Sequence, residues 1–88
     1  MHATVARVTI KGDIETSLSY LREQVVPGVS QAPGFVAGYW TRKGSTGLSI
    51  VVFESEDAAQ TMSERLPSIL SDAVTLEGVE VREVVAHA

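Results

Sequence analysis

The sequence contains few of the residues that build metal and redox sites. It has no cysteine and only two histidines, His2 and His87, which lie near the two ends. Without cysteine, neither a disulfide nor a thiolate metal site can form. Zinc and non-haem iron sites need several convergent histidine or carboxylate ligands, and the histidines are too few for that. We therefore expect no metal site and no cofactor.

Basic residues and long apolar runs are also scarce. Seven lysines and arginines stand against eleven acidic residues, and the net charge of −4 disfavours binding to nucleic acid or to anionic membranes. No apolar run approaches the ~20 residues that cross a bilayer, and residues 1–7 lack the apolar centre of a signal peptide. The expectations are a cytoplasmic protein with no nucleic-acid or membrane partner, folded as one domain over residues 1–88.

The first half of the chain changes from a strand pattern to a helix pattern. Residues 4–10 alternate with the period of two that is typical of a strand. Asp13 is suited to cap a helix. The helix is predicted from an apolar stripe made of Ile14, Leu18, Leu21, Val25 and Val29. Because Pro27 lies within this stripe and the stripe continues past it, we expect a kink or a short re-start at Pro27 and not the end of the helix.

Residues 35–54 predict two strands joined by a hairpin. The first strand covers residues 35–42, with a bulge expected at Gly38, and residues 43–47 have the composition of a turn. The second strand, residues 48–54, is apolar on both faces. One face carries Leu48, Ile50 and Val52, and the other carries Val51 and Phe53. A strand of this kind requires cover on both sides.

The last third predicts a helix and a strand. Ser55 is a suitable N-cap, and apolar residues from Ala58 to Leu66 follow at helical spacing. Pro67 is expected to end this helix and to begin a shorter one. Residues 79–86 are the predicted final strand, after a connection at residues 77–78.

The order of elements indicates the architecture. A β-α-β-β-α-β order with right-handed crossovers predicts a ferredoxin-like α+β fold, in which both helices cover one face of a four-stranded antiparallel sheet. The other face would then expose large apolar side chains, each worth roughly 1.5–3 kcal/mol when buried. A homodimer that pairs two such faces about a two-fold axis is the simplest solution.

Two segments carry a resemblance to a known family. Residues 33–40 read Pro-Gly-Phe-Val-Ala-Gly-Tyr-Trp, and residues 48–55 read Leu-Ser-Ile-Val-Val-Phe-Glu-Ser. Together they resemble the dimeric α/β-barrel superfamily, and within it the antibiotic biosynthesis monooxygenase type. The resemblance implies two ferredoxin-like subunits whose sheets form a shared barrel, with a small ligand between the sheet and the helices of each subunit.

The superfamily is mixed in function, so the resemblance alone assigns none. It includes cofactor-independent monooxygenases of phenols and quinols, haem-degrading oxygenases, decarboxylases and isomerases. Two departures from the family's pattern narrow the range of functions that the resemblance implies. The chain has no asparagine, so the Asn–Trp pair used by several family oxygenases cannot form. Neither histidine lies on a predicted helix, so the residue that ligates haem in the haem-degrading members is missing.

Six residues are candidates for contact with a ligand. An indole or a phenol can stack on an aromatic ligand or orient one of its oxygens, and an arginine can bind a carboxylate or an enolate oxygen. The candidates are Trp40, Tyr39, Arg7, Arg42, Tyr20 and Met62. Each also has a structural interpretation, namely packing for the apolar side chains and ion pairs with glutamates for the arginines.

Three functions are therefore compatible with the sequence. The first is a cofactor-independent monooxygenase of a small phenolic or quinol-type substrate. The second is a protein that binds a small, partly apolar molecule without turnover. The third is a dimerisation module whose interior is filled by its own side chains.

Overall fold

The computed structural model describes all of residues 1–88 and consists of four strands and the helical segments that connect them. In chain order they are β1 (His2–Ile10), α1 (Ile14–Tyr20), a π-helical segment (Leu21–Val25), α2 (Val26–Ser30), β2 (Phe35–Lys43), β3 (Thr46–Phe53), α3 (Glu56–Ile69) and β4 (Val74–Glu83). The strands form one antiparallel sheet in the order β2-β3-β1-β4. The predicted ferredoxin-like fold is thus confirmed.

The direction of the β1 side chains defines the two faces of the sheet. The hydroxyl of Thr4 donates a 2.7 Å hydrogen bond to the carbonyl of Ala59 in α3. Because side chains alternate along a strand, the even-numbered residues of β1 face the helices and the odd-numbered ones face away. We call these the helix face and the outer face. Val51 lies opposite Thr4 and therefore shares the helix face, whereas Ile50, opposite Val5, lies on the outer face.

The hydrophobic core fills the space between the helix face and the helices. Phe53 is fully buried, and its ring meets that of Phe35 edge to face with 6.3 Å between centroids. Val29 from α2 and Met62 from α3 are also buried in this cluster. The core therefore joins both halves of the chain.

Side-chain hydrogen bonds cap the N-termini of α1 and α3, as predicted. The backbone N–H and the hydroxyl of Thr16 each donate a 2.9 Å hydrogen bond to Asp13. These bonds favour the ionised carboxylate and hold the pKa of Asp13 below its usual value. Ser55 accepts a 3.1 Å hydrogen bond from the N–H of Ala58.

None of the helices combines the length and the apolar character that a bilayer crossing requires.

Helical structure continues through Pro27 to Ser30, which confirms the predicted continuation. The turn before the proline widens into the π-helical segment. A proline cannot donate to the carbonyl four residues earlier, and its ring clashes with that carbonyl in a regular α-helix. A single wider turn before the proline accommodates its ring, although Pro27 still donates no hydrogen bond, and such turns are frequent at functional sites.

Three local predictions were wrong. The bulge in β2 lies at Val36 and not at Gly38, since Phe35 pairs with Phe53 and Ala37 with Val52. The helix α3 does not end at Pro67. It continues to Ile69, because Pro67 is solvent-exposed and the N–H of Leu70 still reaches the carbonyl of Leu66 at 3.1 Å.

The last strand also starts earlier and ends sooner than predicted. It begins at Val74, which pairs with Ile10, and it ends at Glu83. Glu77 is the extra residue of a bulge between the pairs Val8–Leu76 and Arg7–Gly78. This bulge disrupts the alternation that would have marked the whole segment as one strand.

Candidate functional site

A cavity lies between the helix face of the sheet and the helices. Its volume is about 100 Å³, or about 920 Å³ when the open space at its mouth is included. Of the 22 residues that line it, 15 are hydrophobic. Phe35 and Phe53 are not among them, so the cavity occupies the part of the layer that the aromatic pair leaves unfilled.

Four of the polar side chains in the wall, those of Thr4, Tyr20, Thr41 and Arg42, have hydrogen-bond partners within the chain. The Thr4 hydroxyl is bonded to Ala59, as described above. The Tyr20 hydroxyl donates to the carbonyl of Ile69 at 3.2 Å and so links the end of α1 to the end of α3. Ser17 differs, because its side-chain oxygen is buried and has no hydrogen-bond partner.

Arg42 is the one charged residue in the wall of the cavity. It is solvent-exposed, and its guanidinium donates a 2.9 Å hydrogen bond to the carbonyl of Gly44 in the hairpin turn. The arginine ion pair of the chain joins Arg82 to Glu80 at 2.7 Å, and Nε2 of His2 lies 3.8 Å from a carboxylate oxygen of Glu56. The expected alternative for Arg42, an ion pair with a glutamate, is therefore not formed.

Gly38 makes room for the indole of Trp40 at the wall of the cavity. A Cβ atom at Gly38 would lie 2.7 and 2.8 Å from two carbons of the Trp40 six-membered ring. It would also lie 3.4 Å from the ring of Phe35. The absence of a side chain at Gly38 thus lets the indole lie flat on the sheet, half-buried beside the cavity.

The six candidate residues divide between the two faces. Tyr20, Trp40, Arg42 and Met62 line the cavity. Tyr39 is 64% exposed and pairs with Ile50 on the outer face.

Arg7 also lies on the outer face. Its guanidinium lies against Gly78, the residue that pairs with Arg7 in β4. A Cβ atom added at Gly78 would be only 3.1 Å from the guanidinium. The structure therefore does not bring Arg7 or Tyr39 together with the other four candidates.

Sequence reasoning missed Ser17 as a cavity residue. Ser17 lies three residues after Ile14 and four before Leu21, so it belongs to the apolar stripe of the first helix. A single hydroxyl on an otherwise apolar stripe is the signal that could have identified it. No three histidine, cysteine or acidic side chains come together in a group that could hold a metal ion.

Comparison with known proteins identifies the fold alone. No family model matches the chain, and no curated protein matches it. Among solved structures, the chain is similar to a crystal structure of a mutant of MhuD with two manganese protoporphyrin IX molecules bound per active site. The TM-score is 0.65 at 16% sequence identity, and the match covers 100% of this chain and 98% of that one.

Proposed function

We propose that the chain binds a small phenolic or quinol-type molecule in the cavity. The observation that supports this most strongly is the position of Arg42 as the lone charge on a mainly apolar wall. A guanidinium stabilises an anionic oxygen, and an apolar wall accepts the ring that carries it. In a chain of net charge −4, this cation marks where an acidic group of the ligand would lie.

The size of the cavity limits the body of the ligand. A dry apolar cavity of about 150 Å³ in another protein accommodates benzene, and the cavity described here is of similar order at about 100 Å³. One ring therefore suits the enclosed part, with substituents extending into the open mouth. Trp40 offers a face on which that ring can stack.

Cofactor-independent monooxygenation is the reaction that such a site can support. In this chemistry the substrate carbanion itself reduces oxygen. One oxygen atom becomes a carbonyl on the carbon that loses two hydrogens, and the other leaves as water. The protein needs to supply only a dry pocket and donors that orient and stabilise the substrate anion. Arg42 would stabilise the enolate or phenolate, and Trp40 would hold the ring.

The residues of the cavity do not fit a haem group. Haem iron is held by histidine, cysteine, methionine or tyrosine. No histidine or cysteine lines the cavity, Met62 is buried in the core, and the Tyr20 hydroxyl is bonded to Ile69. The porphyrins of the MhuD structure therefore do not identify the ligand of this chain.

The outer face supports a homodimer as part of the same proposal. It carries Val5, Ile50 and Val52 near its centre, and Tyr39 and Leu48 are 64% and 39% exposed. The charged Arg7 of β1 also lies on this face, beside Leu48, and Arg82 and Glu80 form their ion pair toward the β4 side. An apolar centre bordered by charged residues is typical of a protein interface, and a second copy would bury the centre about a two-fold axis.

Arg42→Gln tests the binding site. We expect it to weaken the binding of 4-ethylphenol, measured near the pKa of the phenol, by about two- to fivefold, because an ion pair with an exposed guanidinium contributes roughly 0.2–1 kcal/mol. Calorimetry measures the affinity, and the single tryptophan, Trp40, provides a fluorescence signal at the site. Lys43→Gln, next along the chain and also exposed, is the matched control and should bind normally. Absence of binding to the unaltered protein would refute the proposal.

Oxygen uptake separates turnover from binding. The protein should consume oxygen with a one-ring quinol substrate without added metal or cofactor, and Trp40→Phe should reduce the rate by weakening the stacking that positions the ring. An oxygen electrode measures both proteins at matched concentration. Binding of the same compounds with no oxygen uptake would leave a binding protein without turnover.

A further inference from the structure

The side chain of Ser17 is buried in the cavity wall without a partner. Ser17 is 7% exposed, and its hydroxyl oxygen has no hydrogen-bond partner in the protein. Leaving a buried hydroxyl unpaired is unfavourable by about 1–3 kcal/mol, so native proteins nearly always satisfy it. The group therefore requires a partner from outside the chain.

Three other helical serines show that a serine can find a partner within its own helix, although the exposed Ser19 of α1 makes no such bond either. Ser30, Ser63 and Ser68 each donate to the carbonyl three residues earlier, at 3.0, 2.7 and 2.7 Å. Such bonds to the preceding turn are common for helical serines. Ser17 makes none, although its backbone N–H forms an ordinary bond to the carbonyl of Asp13 at 3.0 Å. Its helix is regular, but its hydroxyl remains available to the cavity.

We propose that Ser17 binds a second polar atom of the ligand, which makes the preferred ligand a ring with two oxygens. This inference rests on the proposed function and names its substrate class more closely. The acidic oxygen lies at the exposed Arg42, and a hydroxyl or carbonyl oxygen lies at the buried Ser17. A serine hydroxyl both donates and accepts, so it serves either group.

This arrangement predicts discrimination by the buried group. A site built around a buried hydrogen-bonding group disfavours an analogue that lacks the matching atom, because the group is then left unpaired. The compounds 4-hydroxybenzyl alcohol and 4-ethylphenol form a matched pair. They share the phenol and have the same number of heavy atoms, and they differ by a hydroxyl in place of a methyl group.

The test compares Ser17→Ala with the unaltered protein by calorimetry on this pair. Ser17→Ala should weaken 4-hydroxybenzyl alcohol by about tenfold, the effect of one hydrogen bond, and leave 4-ethylphenol unchanged. Ser19→Ala, an exposed position on the same helix, is the matched control and should bind both compounds normally. Equal effects on both compounds, or none on either, would overturn the role of Ser17 while the proposed function stands.

Thermal unfolding without ligand gives an independent readout. Since alanine removes an unsatisfied buried oxygen and favours helix, Ser17→Ala should unfold at the same or a higher temperature than the unaltered protein. A lower unfolding temperature would show that the hydroxyl has a structural bond within the folded chain, and it would overturn the inference. If neither compound binds to the unaltered protein, the proposed function itself is overturned.

Discussion

Ile50→Lys is expected to dissociate the proposed homodimer into monomers. Ile50 lies in β3 on the outer face, between Val5 of β1 and Tyr39 of β2. In a dimer of paired sheets this position is buried at the centre, and an unpaired ammonium there is unfavourable by several kcal/mol. A dissociation constant raised by more than 100-fold follows from such an energy. Light scattering coupled to gel filtration measures the mass directly.

The control for this change carries the same charge elsewhere. Gln60→Lys places a lysine on an exposed position of α3, away from the sheet, and should leave the mass of the dimer unchanged. Both variants should keep their helical circular dichroism, since position 50 is only partly buried within one subunit. A mass of 9.4 kDa, one chain, for the unaltered protein at micromolar concentration would contradict the homodimer.

Phe53→Ala is expected to lower the free energy of unfolding by about 3–5 kcal/mol. Phe53 is fully buried and forms the edge-to-face pair with Phe35, so truncation leaves a cavity and removes the aromatic contact. A chain of 88 residues has a total stability of only about 4–13 kcal/mol. The variant should therefore unfold at least about 12 °C lower than the unaltered protein.

Denaturant unfolding followed by circular dichroism measures this loss. Val36→Ala, at the exposed bulge of β2, is the control and should change the free energy of unfolding by less than about 1 kcal/mol. A loss of equal size in both variants would show that Phe53 and Phe35 are not the packing centre of the fold.

The sequence predicted the elements and their order because those depend on local periodicity. Both helix caps, at Asp13 and Ser55, were predicted for the same reason, since a capping oxygen acts within one turn. Three other features were not predicted, and two of them depend on the pairing of strands. The bulge at Val36, the extension of α3 past Pro67 and the early start of β4 are each determined by bonds or packing that the local sequence does not reveal.

The site was predicted in part, and the register of the sheet explains much of the difference. Phe35 and Trp40 are five residues apart, so a regular strand would place them on opposite faces. The extra residue at Val36 brings both to the helix face, where Trp40 reaches the cavity and Phe35 packs on Phe53. Arg7 and Arg42 were equivalent candidates by type, and only the register of the sheet separates them. Ser17 was not predicted as a site residue, because it lies on the apolar stripe of the first helix and such a stripe normally indicates packing in the hydrophobic core.

The most direct test of the account is a titration of ¹⁵N-labelled protein with 4-hydroxybenzyl alcohol, followed by amide chemical shifts. The account predicts saturable shifts at cavity residues from both layers, including Ser17 in α1 and Trp40 and Arg42 in β2. Amides of the last residues before the chain end, which lie outside the strands, should not move. Shifts confined to the outer face around Tyr39 and Ile50, or no saturable shifts at all, would contradict a ligand-binding cavity between the sheet and the helices.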